Sequence, residues 1–81
     1  MARRVHNNFL MLLTQKEQRE KRRIRPGEIT EALGTTRATL LRWIRDDISK
    51  FEGPLLISIC DYFGCEISDL LYIGEDEETQ T

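Results

Sequence analysis

Residues Glu28 to Arg45, EITEALGTTRATLLRWIR, decide the fold. Ile29, Ala32 and Leu33 recur at helical spacing and give a short helix an apolar face. Gly34 follows the last apolar position, where a left-handed residue ends a helix without a Cβ clash. Thr35 and Thr36 supply a hydroxyl to cap the next helix, which runs from about Arg37 to Asp46 and carries Leu40, Trp43 and Ile44. The stretch predicts two short helices that meet at a glycine-containing corner.

A step of 100° per residue divides the second helix into two halves. Thr36, Thr39, Leu40, Trp43 and Ile44 fall on one; Arg37, Ala38, Leu41, Arg42 and Arg45 fall on the other. The apolar half must face neighbouring helices, which assigns Trp43 to the core. The other half carries three arginines and no acid, and is free to meet a partner. Arginine's planar fork pairs bidentately with guanine O6 and N7, or with a phosphate. A short helix, a tight turn and a basic second helix form the pattern that places side chains in a DNA major groove. Arg37, Ala38 and Arg42 would then reach bases and Arg45 a phosphate, while Leu41 would meet a thymine methyl. The Thr36 hydroxyl would cap the helix or also donate to a phosphate. The plainer alternative is a solvated helix face on which Leu41 is an ordinary exposed leucine.

Before this unit, Val5, Phe9, Leu12 and Leu13 share one helical face, which predicts a helix over about residues 5 to 20. The chain from Thr14 to Arg23 has no apolar residue, and Ile24 is the next expected core contact. Pro26 suits the first turn of the next helix and Glu28 complements its dipole. After the unit, Asp46 and Asp47 end the helix, and Ile48 and Phe51 tuck inward from a loop. Pro54 opens a fourth helix containing Leu55, Leu56, Ile59, Cys60 and Phe63, and Gly64 stops it. Glu66 or Ser68 caps a short fifth helix with Leu70 and Leu71. No segment reads as a strand. The expected class is all-α: a compact bundle of five helices, one domain over residues 1–74, with an acidic, disordered tail over 75–81.

Eighty-one residues suffice for one small domain, and 40% hydrophobic with 32% charged residues suit a soluble helical protein. The net charge of -2 conceals segregation. Met1 to Arg25 holds eight Lys/Arg against two acids, Pro26 to Glu52 four against five, and Gly53 to Thr81 none against seven. A basic surface for a polyanion beside an acidic tail fits this asymmetry. Lys16, Arg19, Lys21, Arg22, Arg23 and Arg25 could supply phosphate contacts, or pair with Glu17 and Glu20 on a solvated helix. Cys60 and Cys65 read as reduced thiols, one in a helix and one beside a turn, with too few ligands nearby for zinc. His6 has no second ligand or nucleophile and reads as a surface residue. No convergent His, Cys or carboxylate set and no phosphate-binding glycine loop is present, so enzyme, cofactor and metal functions are not expected. The apolar patch Phe9 to Leu13 is too short for a signal sequence, nothing approaches a membrane span, and a cytoplasmic location is expected.

The run Glu28-Ile29-Thr30-Glu31-Ala32-Leu33-Gly34-Thr35-Thr36-Arg37-Ala38-Thr39-Leu40 resembles the helix-turn-helix of phage repressors of the Cro/cI (XRE) type, a lambda-repressor-like domain. Leu56 to Leu71, with the turn Phe63-Gly64-Cys65, is similar to that family's fourth helix, turn and fifth helix. The resemblance spans about Val5 to Ile73. It implies a five-helix bundle and a DNA-binding transcriptional regulator, frequently dimeric on palindromic operators. It also implies base reading by Arg37, Ala38 and Arg42, backbone proximity for Thr36 and Thr39, and a phosphate contact by Arg45. Pro26 stands where the family commonly has a glutamine that contacts phosphate, and Ile44 replaces a usual glutamate. The polar segment between Leu13 and Ile24 is longer than usual, and the loop Asp46 to Gly53 differs. The expected partners are double-stranded DNA and a second copy of the chain, with no small-molecule effector evident. The alternative is a protein-interaction module on the same fold, an antitoxin or adaptor, which Leu41 and the acidic tail would suit.

Overall fold

The structure, a computed structural model, describes residues 3–75. Its elements are β1 (Arg3–Asn7), α1 (Phe9–Glu20), α2 (Pro26–Leu33), α3 (Arg37–Ile44), α4 (Gly53–Phe63), α5 (Ile67–Leu70) and β2 (Leu71–Glu75). Five helices therefore stand among the described residues, but the fold is not purely all-α. β1 and β2 form a two-stranded antiparallel sheet, with Val5 opposite Ile73 and Arg3 opposite Glu75. The expected tail lies outside the described residues except for Glu75, which ends β2.

The sheet corrects two sequence expectations. Val5 belongs to a strand, so α1 begins at Phe9 and not near residue 5. Asn7 Oδ1 accepts the Phe9 amide at 2.9 Å, and the Asn8 amide donates to the Leu70 carbonyl at 2.8 Å. These bonds occupy backbone groups that a longer helix would have needed. Leu71 pairs with Asn7 in β2 instead of continuing α5. The third helix stops at Ile44, with Arg45 as its C-cap.

The corner falls where glycine permits it. Gly34 caps α2 at φ 68°, and its amide donates to the Thr30 carbonyl. Gly64 caps α4 at φ 66° in the same way. Of the two candidate caps for α5 it is Glu66 that serves, its amide donating to Asp69 Oδ2 at 2.9 Å. Pro26 sits in the first turn of α2, where its missing N–H costs nothing.

The core gathers Phe9, Leu12, Leu13, Ile24, Ile29, Leu33, Leu40, Trp43, Ile48, Ile59, Phe63 and Leu70. Phe9 lies at its centre, edge-on to Phe63 at 5.2 Å and tilted against Trp43 at 6.0 Å. Ala32 is exposed, so α2 buries only Ile29 and Leu33. Helices this short are marginal alone in water. Burying each large apolar side chain contributes about 1.5–3 kcal/mol, against tenths for local propensity, so packing holds α2 and α3 in place.

Candidate nucleic-acid interface

Thr36 opens α3 with extended backbone, and its Oγ1 accepts the Thr39 amide at 3.2 Å. The same hydroxyl donates to Thr39 Oγ1 at 3.1 Å, so it caps the helix and is hydrogen-bonded in both senses. Leu40 and Trp43 anchor the inner face, and Ile44 is half-buried against them. Arg37, Ala38, Leu41, Arg42 and Arg45 are all exposed on the outer side, as the helical wheel predicts, and Thr39 is half-buried at the edge. Leu41 keeps 39% of its surface exposed.

The arginines of this face differ in what holds them. Arg42 Nε donates to the Asp47 carbonyl at 3.2 Å, which orients the guanidinium and leaves its two terminal nitrogens free among the described residues. The side chains of Arg37 and Arg45 make no hydrogen bond or ion pair among the described residues. Beside Arg42 a cleft of about 420 Å³ separates α3 from the loop after it, lined in part by Thr39, Ser49 and Lys50.

The earlier basic run is organised differently. Lys16 Nζ lies 2.8 Å from Glu20 and 4.8 Å above the Tyr62 ring. Arg22 donates to Glu20 at 2.9 Å and, in a two-pronged pair, to Glu28 at 3.0 and 2.7 Å. Hydrogen bonding to Lys16 lowers the Glu20 carboxyl pKa, and hydrogen bonding to Arg22 lowers that of Glu28. The same pairing with Glu28 raises Arg22 above its ordinary value. Glu17 Oε2 accepts the Ile24 amide at 2.9 Å, fixing the bend out of α1. Arg22 thus serves the join between α1 and α2 and Lys16 the packing of α1 on α4, while Arg19, Lys21, Arg23 and Arg25 stay exposed without an ion pair among the described residues.

Sequence reasoning missed the junction at the far end of α3. Asp46, read only as a helix stop, adopts φ 59°, a left-handed conformation uncommon outside glycine. Its Oδ1 accepts from the Asn7 amide at 2.9 Å and from Asn7 Nδ2 at 3.2 Å. Its Oδ2 lies 2.6 Å from His6 Nδ1 and 3.3 Å from Arg4. His6 is therefore no free surface residue: its side chain is 14% exposed and its ring stacks on Tyr72 at 5.3 Å. A non-glycine directly after a helix end was the available signal, but its partners lie in a strand that periodicity did not reveal.

Cys60 and Cys65 are free and half-buried. The Cys65 amide closes the α4 turn on the Cys60 carbonyl at 3.0 Å. Burial, with Cys60 beside it, pushes the Cys65 thiol up to about 11, which disfavours the reactive thiolate. Among the described residues no group of three His, Cys, Asp or Glu is placed to hold a metal ion, and no helix is long and apolar enough to cross a membrane.

Neither a curated protein nor a solved structure matches the chain. The family model of the Cro/C1-type HTH DNA-binding domain matches residues 16–76. That span takes in the end of α1, both helices of the glycine corner, α4, α5 and β2. A match over well more than half of the 81 residues, on a fold whose second corner helix is capped, anchored and outwardly basic, places the chain in the Cro/C1-type helix-turn-helix DNA-binding domain family.

Proposed function

We propose that this protein is a sequence-specific transcriptional regulator that binds double-stranded DNA as a homodimer, with residues 36–46 as the recognition helix in the major groove. The observation that carries the reading is the outer face of α3: three exposed arginines and no acid, on a helix anchored by buried Leu40 and Trp43. Arg37, Ala38 and Arg42 read base edges, with the terminal nitrogens of Arg42 matching the acceptor pair of a guanine. Leu41 meets a thymine methyl. Arg45, at the end of the helix, grips a phosphate, and Thr36 and Thr39 lie near the backbone. Phosphate contacts set register, and base contacts set sequence. One domain of this size makes few base contacts, so tight specific binding calls for two half-sites about one helical turn apart.

A protein-interaction role is the second reading, favoured by the exposed Leu41 in the middle of the arginine face. Selection of bound duplexes from a random pool, followed by titration at two salt concentrations, separates the two. A regulator yields a palindromic consensus and an affinity that falls steeply with salt. If no duplex is retained even at low salt, the DNA-binding reading fails and the interaction role stands.

A further inference from the structure

We propose that Asp46 is a positioning residue for the recognition helix: it ties the C-terminal end of α3 to β1, so that Arg42 and Arg45 are presented at a fixed angle. The inference rests on the reading of α3 as the DNA-contacting helix.

Asp46 directly follows Arg45, the C-cap of α3. Its backbone is one of two left-handed non-glycine positions in the described chain, the other being Lys21 at the end of α1. Lys21 is exposed and ends its helix through a backbone bond to Glu17. Asp46 is instead surrounded by three residues of a single strand. One carboxylate oxygen takes the backbone and side-chain amides of Asn7, and the other faces His6 and Arg4. Arg4 also donates to the Asp46 carbonyl at 2.9 Å, so its guanidinium grips both the side chain and the backbone of the residue that ends the helix. An ionised carboxylate has about four acceptor sites, and here all are engaged.

The far side of this junction has contacts of its own. His6 Nε2 faces the Glu75 carbonyl at 3.3 Å, and its ring lies on Tyr72, so β2 holds the residue that holds Asp46. The last turn of α3 is thereby fixed to the strand pair and not only to the core beneath it. A helix end free to pivot would carry Arg45 and Arg42 with it, and a base contact is sensitive to displacement in a way that a bulk charge is not. The charge of Asp46 works in the opposite direction. Removing an acid beside the arginine face favours any DNA phosphate, whatever its sequence.

These opposite signs make the proposal testable on the full chain. Asp46→Asn and Asp46→Gly both tolerate a left-handed backbone, so each removes side-chain bonds without straining the turn. Arg4→Gln loosens the same junction without altering α3. Affinities for a selected duplex and for a random one are measured side by side, with circular dichroism to show the fold retained. The ratio of specific to non-specific affinity should fall by about tenfold in all three variants, while non-specific affinity holds or rises in the two Asp46 variants. Arg37→Ala serves as the reference. If Arg37→Ala leaves specific affinity intact, the assignment of α3 itself is wrong. If Arg37→Ala lowers it but Asp46→Asn and Arg4→Gln keep the wild-type ratio, Asp46 merely ends a helix and the proposal is overturned.

Discussion

The α1–α2 corner and the outer face of α3 both carry exposed arginines, and Arg22 at the corner is held in a way that no arginine of α3 is. Arg22 is held by two carboxylates, Glu20 and Glu28. Arg37 and Arg45 have no ionic partner among the described residues, and Arg42 meets only a carbonyl. Sequence position explains the contrast: acids occur among the basic residues of α1 and at the start of α2, whereas α3 has none from Arg37 to Arg45. A count of positive charges therefore does not measure what is available to a polyanion. The more basic stretch has Lys16 and Arg22 paired by its own fold and Arg19, Lys21, Arg23 and Arg25 unpaired among the described residues, whereas no arginine of the sparser one meets an acid.

Substitution of single arginines should break or sharpen this contrast. The largest expected effect is at the open face: Arg37→Ala or Arg42→Ala should cost about 1–3 kcal/mol of affinity for a selected duplex and relax its base preference. Arg45→Ala should weaken binding to all duplexes alike and reduce the salt slope by about one. Arg22→Ala should leave both base preference and salt slope close to wild type. A loss at Arg22 as large as that at Arg37 would show that the paired corner also faces DNA.

The smallest expected effect belongs to the corner's own stability. Glu20 and Glu28 titrate below their ordinary value of 4.5, held down by Lys16 and Arg22 respectively. A carboxyl whose folded-state pKa is depressed stabilises the fold at pH values above its unfolded pKa, and that contribution is lost as pH falls through the folded value. The melting temperature should therefore drop on acidification below about 4.5, and Glu28→Gln should drop less over the same range. Both carboxylates are solvent-exposed, so the difference should be small and should shrink in high salt. An identical acid response in the variant would mean that the ion pair adds nothing measurable.

Much of the helical framework was legible in the sequence because each signal was local. Gly34 and Gly64 mark helix ends, Thr36 marks a start, and Leu40 and Trp43 recur at the helical period. The outer face of α3 was legible for the same reason, since a wheel needs only the order of residues. The sheet was not legible. RRVHN and LYIGE are short and lack clean alternation, and the four-residue step from Val5 to Phe9 imitates a helix. Their pairing is a property of the folded chain, as each strand's partner lies at the opposite end of the domain. The role of Asp46 went unseen with it, because among the described residues every side chain that bonds its carboxylate comes from β1.

Pairing the first element with the last also sets an order of events. Of the described elements, β1 leaves the ribosome first and β2 last. The α2–α3 corner can pack through contacts close in sequence, but the strands, like Phe9 against Phe63, must wait until the intervening chain is made and its loop entropy has been overcome. The sheet is the contact that spans the most chain, and Ile73 is still 61% exposed when it is formed. Amide exchange should be faster at the strand-pairing positions than at Leu40 or Ile59, and equal protection at both would show that the sheet and the bundle open together.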